Sequence, residues 1–199
     1  PFSWDGNAGV RGLRVGVLRA DFERQSITKP FDTAALEVLR GLGVTFVDVE
    51  LPSLPYNAMR IILTAEAGAA FDELMRSGRT AELVGQGPNA WPATFREAHF
   101  IPAPDYINAN RVRTLAIRAW DALMDRVDVI VAPTNSGQLL ATNLTGHPAV
   151  ILPHGFRENG TPVSLTFIGR LFDEATLLRV AHAYQQQTDF HRRQPPALD

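Results

Sequence analysis

The chain has 199 residues, no cysteine and a net charge of -2, with 45% hydrophobic and 20% charged residues. That is enough chain for one sizeable core in an ordinary soluble globular composition. Disulfides, thiolate metal sites and a cysteine nucleophile are excluded, and the charge creates no global field toward nucleic acid or an anionic membrane. With neither a membrane-length apolar run nor a signal peptide, the expected setting is cytoplasmic. Of the 19 basic residues only Lys29 is a lysine; the arginines are scattered rather than clustered.

In chain order, Leu13-Arg-Val-Gly-Val-Leu18 reads as a strand with Leu13, Val15 and Val17 on one face. Asp32 is a plausible N-cap for a helix reaching Leu42, with Leu36 and Leu39 on its apolar side and Gly41 and Gly43 at its end. Val44 to Leu51 is a second strand, stopped by Pro52 and Pro55. These three elements form a βαβ unit, which implies parallel strands. Tyr56 to Ser77 reads as one long helix ending at Gly78. Residues 79 to 105 are irregular, with prolines throughout and a short helix near Ala93 to His99.

Helical spacing returns from Asp105 to Arg126, with Val112, Ala116, Ala119 and Leu123 on one face. Asp128 to Ala132 is a buried strand ended by Pro133, and residues 133 to 143 read as a polar loop. Ala149 to Leu152 is apolar on both faces, as inside a covered sheet. Asn159-Gly160 signals a hairpin, and the return strand alternates Val163, Leu165 and Phe167 with Ser164 and Thr166. A last helix, Glu174 to Gln187, buries Leu177, Val180, Ala181 and Tyr184, with Asp173 as its N-cap. The expected architecture is one α/β unit over residues 1–199, a mixed β-sheet covered by helices.

The residues offer no complete catalytic set. There is no P-loop, GxGxxG, GxSxG or HExxH pattern. The histidines at 99, 147, 154, 182 and 191 lack metal-ligand spacing and read as structural or surface residues. Lys29, in Thr28-Lys29-Pro30 beside Ser26, reads as a solvated lysine. Neither a metal nor a cofactor is expected. The loop after the 128–132 strand is the best ligand candidate, because α/β proteins place ligands beyond the carboxyl ends of buried strands. It is also rich in short hydrogen-bonding side chains.

The stretch Asn143-Leu-Thr-Gly-His-Pro148, then Pro153-His154-Gly155-Phe156, Pro162-Val163-Ser-Leu-Thr-Phe-Ile168-Gly169-Arg170 and Phe172 to Tyr184, resembles the C-terminal end of an amidase signature enzyme. Gly12 to Val17, the 43–52 segment and Tyr106 to Arg113 fit the same family, and residues 79 to 105 fit it poorly. The resemblance implies chemistry at an amide carbonyl by a Ser-Ser-Lys set in a Gly-Ser-rich segment, which this sequence does not contain.

The expectation that follows is the C-terminal portion of an amidohydrolase that supplies scaffold and pocket wall and is inactive alone. Its partner in the whole protein would be a small amide. The family's pocket loop maps onto Asn135, Ser136, Leu139 and Leu140 as substrate-facing residues, and no residue here is assigned catalysis. Asn143, Gly146 and Pro148 would shape a turn.

Two alternatives stand beside this reading. One is a fragment of the A subunit of a tRNA-dependent amidotransferase. The other is a non-catalytic, amidase-like scaffold or binding module. The loop has no acidic residue to hold glutamine, which argues for a general amidase. Nucleic-acid binding by this chain alone is not expected. An exposed sheet edge invites a homo-oligomer.

Overall fold

The computed structural model describes residues 2–24, 26–134 and 136–194. Along the chain lie β1 (Arg14–Val17), α1 (Arg19–Glu23), α2 (Lys29–Gly41), β2 (Thr45–Asp48), α3 (Ile61–Ala70), α4 (Asp72–Arg76), α5 (Trp91–Ala98) and α6 (Ala103–Met124). There follow β3 (Val129–Pro133), α7 (Gln138–Thr145), β4 (Ala149–Phe156), β5 (Pro162–Gly169) and α8 (Glu174–Gln186). They pack as two compact units, one formed by residues 1–52 with 118–199, the other by residues 53–117.

The first unit holds a five-stranded sheet in the order β2-β1-β3-β5-β4. β1 pairs in parallel with β2 and β3, while β5 runs antiparallel to both β3 and β4. The mixed α/β sheet expected from the sequence is thus the observed one. One face carries Val15, Val17, Val129, Val131, Leu165 and Phe167. It packs on Ala35, Leu36 and Leu39 of α2 and on Leu177, Val180, Ala181 and Tyr184 of α8. The opposite face of the two central strands, at Ile130, Ala132, Thr166 and Ile168, is buried too. Two-sided burial explains why β3 reads as an unbroken apolar run.

Several local expectations need correction. α2 starts at Lys29, a turn before the expected cap, because Pro30 favours the first helical turn. Asp32 therefore lies within that first turn. The expected long helix from Tyr56 divides at Phe71 (φ -107°, ψ 21°) into α3 and α4. The 133–143 stretch is not all loop, since α7 begins at Gln138. It ends where Gly146 takes a left-handed φ of 83°.

In the hairpin Gly160 has a φ of 76°, whereas Asn159 does not lie at positive φ. Gly160 N–H donates to Arg157 O, and Arg157 N–H to Thr161 O. This is a turn closed by a glycine bulge rather than the two-residue turn that Asn-Gly suggests. Asp173 caps α8 as expected, accepting from Thr176 N–H at 3.3 Å.

One carboxylate ties three strands together at the end of the sheet where β1 and β3 begin. Asp128 accepts from the backbone N–H of Arg14 at 2.8 Å and from its guanidinium at 2.8 Å. Asp128 N–H donates to Arg14 O at 2.8 Å. Arg170, just past β5, donates to the same carboxylate at 3.0 Å and to Val127 O at 2.7 Å. Arg170 therefore bridges the end of β5 to the start of β3 through this carboxylate.

Burial opposes ionisation of Asp128, but the hydrogen bonds and charges of Arg14 and Arg170 outweigh it and hold the carboxyl below its ordinary value of 3.8. A depressed folded-state value gives stability that is fully present above pH 3.8 and lost as pH falls through the folded-state value. Asp128→Asn is expected to lose about 1–2 kcal/mol at neutral pH. It should also remove this group's share of the acid-side loss below 3.8, measured by urea denaturation across a pH series.

Candidate functional site

The connection leaving β1 turns through α1 and α2 toward β2, whereas β3 lies on the other side of β1. Chains parting in this way leave a crevice beyond the carboxyl ends of the two strands, the usual ligand position in open α/β sheets. A cavity of about 330 Å³ occupies that place. Its walls come from the segment after β1 (Asp21, Arg24, Ser26, Thr28, Asp32), the segment after β3 (Pro133, Thr134, Ser136), and the hairpin side (Arg157, Ser164).

The wall behind β3 is pinned by hydrogen bonds. Thr134 Oγ1 donates to Ser164 O at 2.7 Å and lies 3.1 Å from Thr166 Oγ1. The Thr134 hydroxyl has one proton, so Thr166 is the donor of the second bond. The buried Gln138 donates to Thr134 O at 3.2 Å, which fixes the step from β3 into α7.

The opposite wall rests on a buried pair. His154, inside β4, lies with Nε2 at 2.8 Å from Asp32 Oδ1, and both side chains are almost fully enclosed. Asp32 Oδ2 accepts from Thr28 Oγ1 at 2.9 Å. With its one proton so used, Thr28 accepts in turn from Ser26 Oγ at 3.0 Å. A chain of polar contacts thus runs Ser26–Thr28–Asp32–His154. Phe31 meets the His154 ring edge-on at 6.4 Å. A Cβ at Gly155 would lie 2.3 Å from Phe31 Cδ1, so only glycine allows α2 this close to β4.

A second hydroxyl pair orders His147. Thr145 Oγ1 donates to Ala141 O at 3.0 Å and so accepts from His147 Nδ1 at 2.8 Å. Burial pushes the His147 imidazolium toward the neutral form, against the pull of Asp121. His147 and His154 are both buried, each with one ring nitrogen at hydrogen-bond distance from a side chain.

Of the sequence-predicted substrate contacts, Ser136 lines the crevice. Leu139 and Leu140 lie on α7, the first exposed and the second half-buried, and neither lines it. Asn135 lies outside the described residues. Arg157, Thr28 and Asp32 were not anticipated as crevice residues. The hairpin signal located Arg157 without indicating which way the turn would lean. In the second unit a larger cavity, about 530 Å³, is lined by apolar groups such as Leu63, Val84 and Trp91 with Arg60 and Asn89. Among the described residues no group of three or more His, Asp or Glu is placed to hold a metal, and no helix is long and apolar enough to cross a membrane.

The family model described as Amidase matches residues 1–141, and the chain belongs to the amidase family. It is 36% identical to the A subunit of the glutamyl-tRNA(Gln) amidotransferase of Chloroflexus aggregans, over 94% of this chain and 46% of that protein. It is 31% identical to the Myxococcus xanthus protein of the same name, over 98% of this chain and 49% of that protein. The peptide amidase of Stenotrophomonas maltophilia has the same fold, with a TM-score of 0.72 and 26% identity over 96% of this chain and 45% of that one. A bacterial aryl acylamidase of the amidase signature family superposes with a TM-score of 0.75 at 19% identity, covering 94% and 46%. The chain spans about half the length of the relatives it matches, corresponding to the C-terminal half of amidase signature enzymes.

The Asp32–His154 pair yields a stability test. Asp32→Ala leaves a buried imidazole without its partner and should lose about 2–4 kcal/mol. Asp32→Asn keeps an acceptor for His154 and should lose less. Urea midpoints of the two variants give the comparison; equal midpoints would remove the pair from the framework of the crevice.

Proposed function

We propose that this chain is the C-terminal portion of an amidohydrolase that cleaves small amides to a carboxylate and ammonia or an amine. It supplies scaffold and one wall of the substrate pocket. The observation that carries this reading is the family match over residues 1–141. The sequence has no Ser-Ser pair beside a lysine, so the nucleophile and its base belong to another part of the enzyme. Asn135, Ser136, Leu139 and Leu140 are the residues this portion offers the substrate. Serine and asparagine orient polar groups and the leucines contribute apolar contact. None of the four can act as base or nucleophile at neutral pH without an activating partner.

A second reading is favoured by one observation, the 36% identity to a protein named as part of a glutamyl-tRNA(Gln) amidotransferase. In that case the amide would be glutamine and the ammonia would pass to an aminoacyl-tRNA. Residues 134 to 145 contain no Asp or Glu, which leaves a glutamine ammonium without a carboxylate on this wall and favours the first reading.

The test is ammonia release. The 199 residues alone should release none from aliphatic or aromatic amides or from glutamine. Turnover by the isolated chain that survives repeated purification would overturn the division of labour. The same protein extended into the upstream part of its gene should hydrolyse simple amides in preference to glutamine; a preference for glutamine would support the second reading.

In that active form, Leu140→Ala is expected to change discrimination between a bulky and a small amide by about 1–3 kcal/mol in kcat/KM. Equal loss on both substrates by several orders of magnitude, with the fold intact, would mean that α7 serves the bond-breaking step itself.

A further inference from the structure

The charged groups lining the crevice beyond β1 and β3 are Asp21, Arg24, Asp32 and Arg157. Asp21 is engaged by Arg24 at 2.8 Å. Asp32 is engaged by His154 and Thr28. Arg157, on the hairpin side, has no ion-pair partner among the described residues. Its Nε is buried without a hydrogen-bond partner, and so is the hydroxyl of Ser136 across the same cavity. Two donors in one cavity, one of them cationic, lack acceptors, and buried donors are rarely left in that state.

We propose that this crevice is a recognition subsite for a small monocarboxylate, with Arg157 and Ser136 donating to its oxygens. A planar carboxylate fits the edge of a guanidinium, and such charge-assisted bonds are the stronger kind. A doubly charged phosphate is disfavoured, because the carboxylates of Asp21 and Asp32 lie in the same walls. A neutral amide would leave the arginine's charge uncompensated. The volume of about 330 Å³ admits an acid of a few carbons.

Taken with the amidase reading, on which this extension rests, the ligand is either the acid released by amide cleavage or an amide that carries a free carboxylate. Both present the same group to Arg157.

The experiment is an NMR titration of the 199-residue chain that follows the Arg157 Nε–H and Ser136 amide signals. The probes are acetate, succinamate, acetamide, chloride and phosphate at constant ionic strength. Acetate and succinamate should give saturable shifts, and acetamide and chloride none. Equal affinity for the two acids marks a site for the released acid. Succinamate tighter by about tenfold or more marks one for a carboxylate-bearing amide.

Arg157→Gln should weaken binding by at least about tenfold, with Arg157→Lys retaining part of it. Both variants should keep the wild-type circular dichroism. The proposal is overturned if chloride or acetamide shifts the same signals equally, if phosphate binds more tightly than acetate, if nothing saturates, or if a folded Arg157→Gln binds as wild type. Because the readout is binding, failure here leaves the proposed amide hydrolysis untouched. Equally, carboxylate binding in a protein without amidase activity would sink only the functional reading above.

Discussion

The first unit depends on the Asp128 carboxylate. β3 is buried on both faces and paired on both edges, in parallel on one side and antiparallel on the other. Such a strand has no water to satisfy a misplaced backbone group, so its register must be set at an end. Asp128 does this by exchanging hydrogen bonds with the Arg14 backbone and guanidinium while Arg170 closes on it from β5. One charged group, half-shielded by two arginines, aligns the beginnings of β1 and β3 with the end of β5. The geometry at the opposite ends of these strands follows from that alignment.

At those opposite ends the chain diverges, and the crevice is what divergence leaves. Its walls are kept apart by two unlike devices. Behind β3, hydroxyl and amide bonds between Thr134, Thr166, Ser164 and Gln138 hold the turn into α7. Behind β1, the enclosed Asp32–His154 pair ties α2 to β4, and Gly155 allows the close approach. Breaking a buried hydrogen-bonded pair is costly because it leaves a polar group without a partner, so the pair specifies one arrangement of α2 over the sheet. Among the described residues lining the crevice, Arg157 Nε and Ser136 Oγ are buried without a hydrogen-bond partner, and so is Nδ1 of His154 behind it.

The fold is shared with solved amidases; Asn143, expected to shape a turn, lies inside α7, and it is Gly146 that ends the helix in a left-handed conformation. After β3, Thr134 is followed within a few residues by α7. A short, uncharged connection there narrows what this wall can recognise. This wall brings the hydroxyls of Thr134 and Ser136 to the crevice, and the charged groups come from Asp21, Arg24 and Asp32 after β1 and from Arg157 on the hairpin.

Much of the fold is legible in the sequence because it is written in local periodicity. The two-sided apolar run of β3, the alternation of β5 and the spacing of Leu177, Val180, Ala181 and Tyr184 in α8 each reflect a face pressed on the core. The break at Phe71 and the start of α7 were not legible. Propensity alone continues a helix across the first and leaves the second polar, and only packing within each unit decides between them. The site was half legible. Ser136 follows a buried strand and could be placed at its carboxyl end. Asp32 looked like a helix cap and His154 like a bystander, and 122 positions separate them; only the sheet order, which lays β4 beside α2, makes them partners. Arg157 was one scattered arginine among many until the hairpin set its Nε in a wall with no acceptor. Sequence by itself determined the strands, the helical faces and the family, because those depend on neighbours in the chain. Which side chains share the crevice was decided by tertiary structure alone, because desolvation and hydrogen-bond partnership depend on groups distant in sequence.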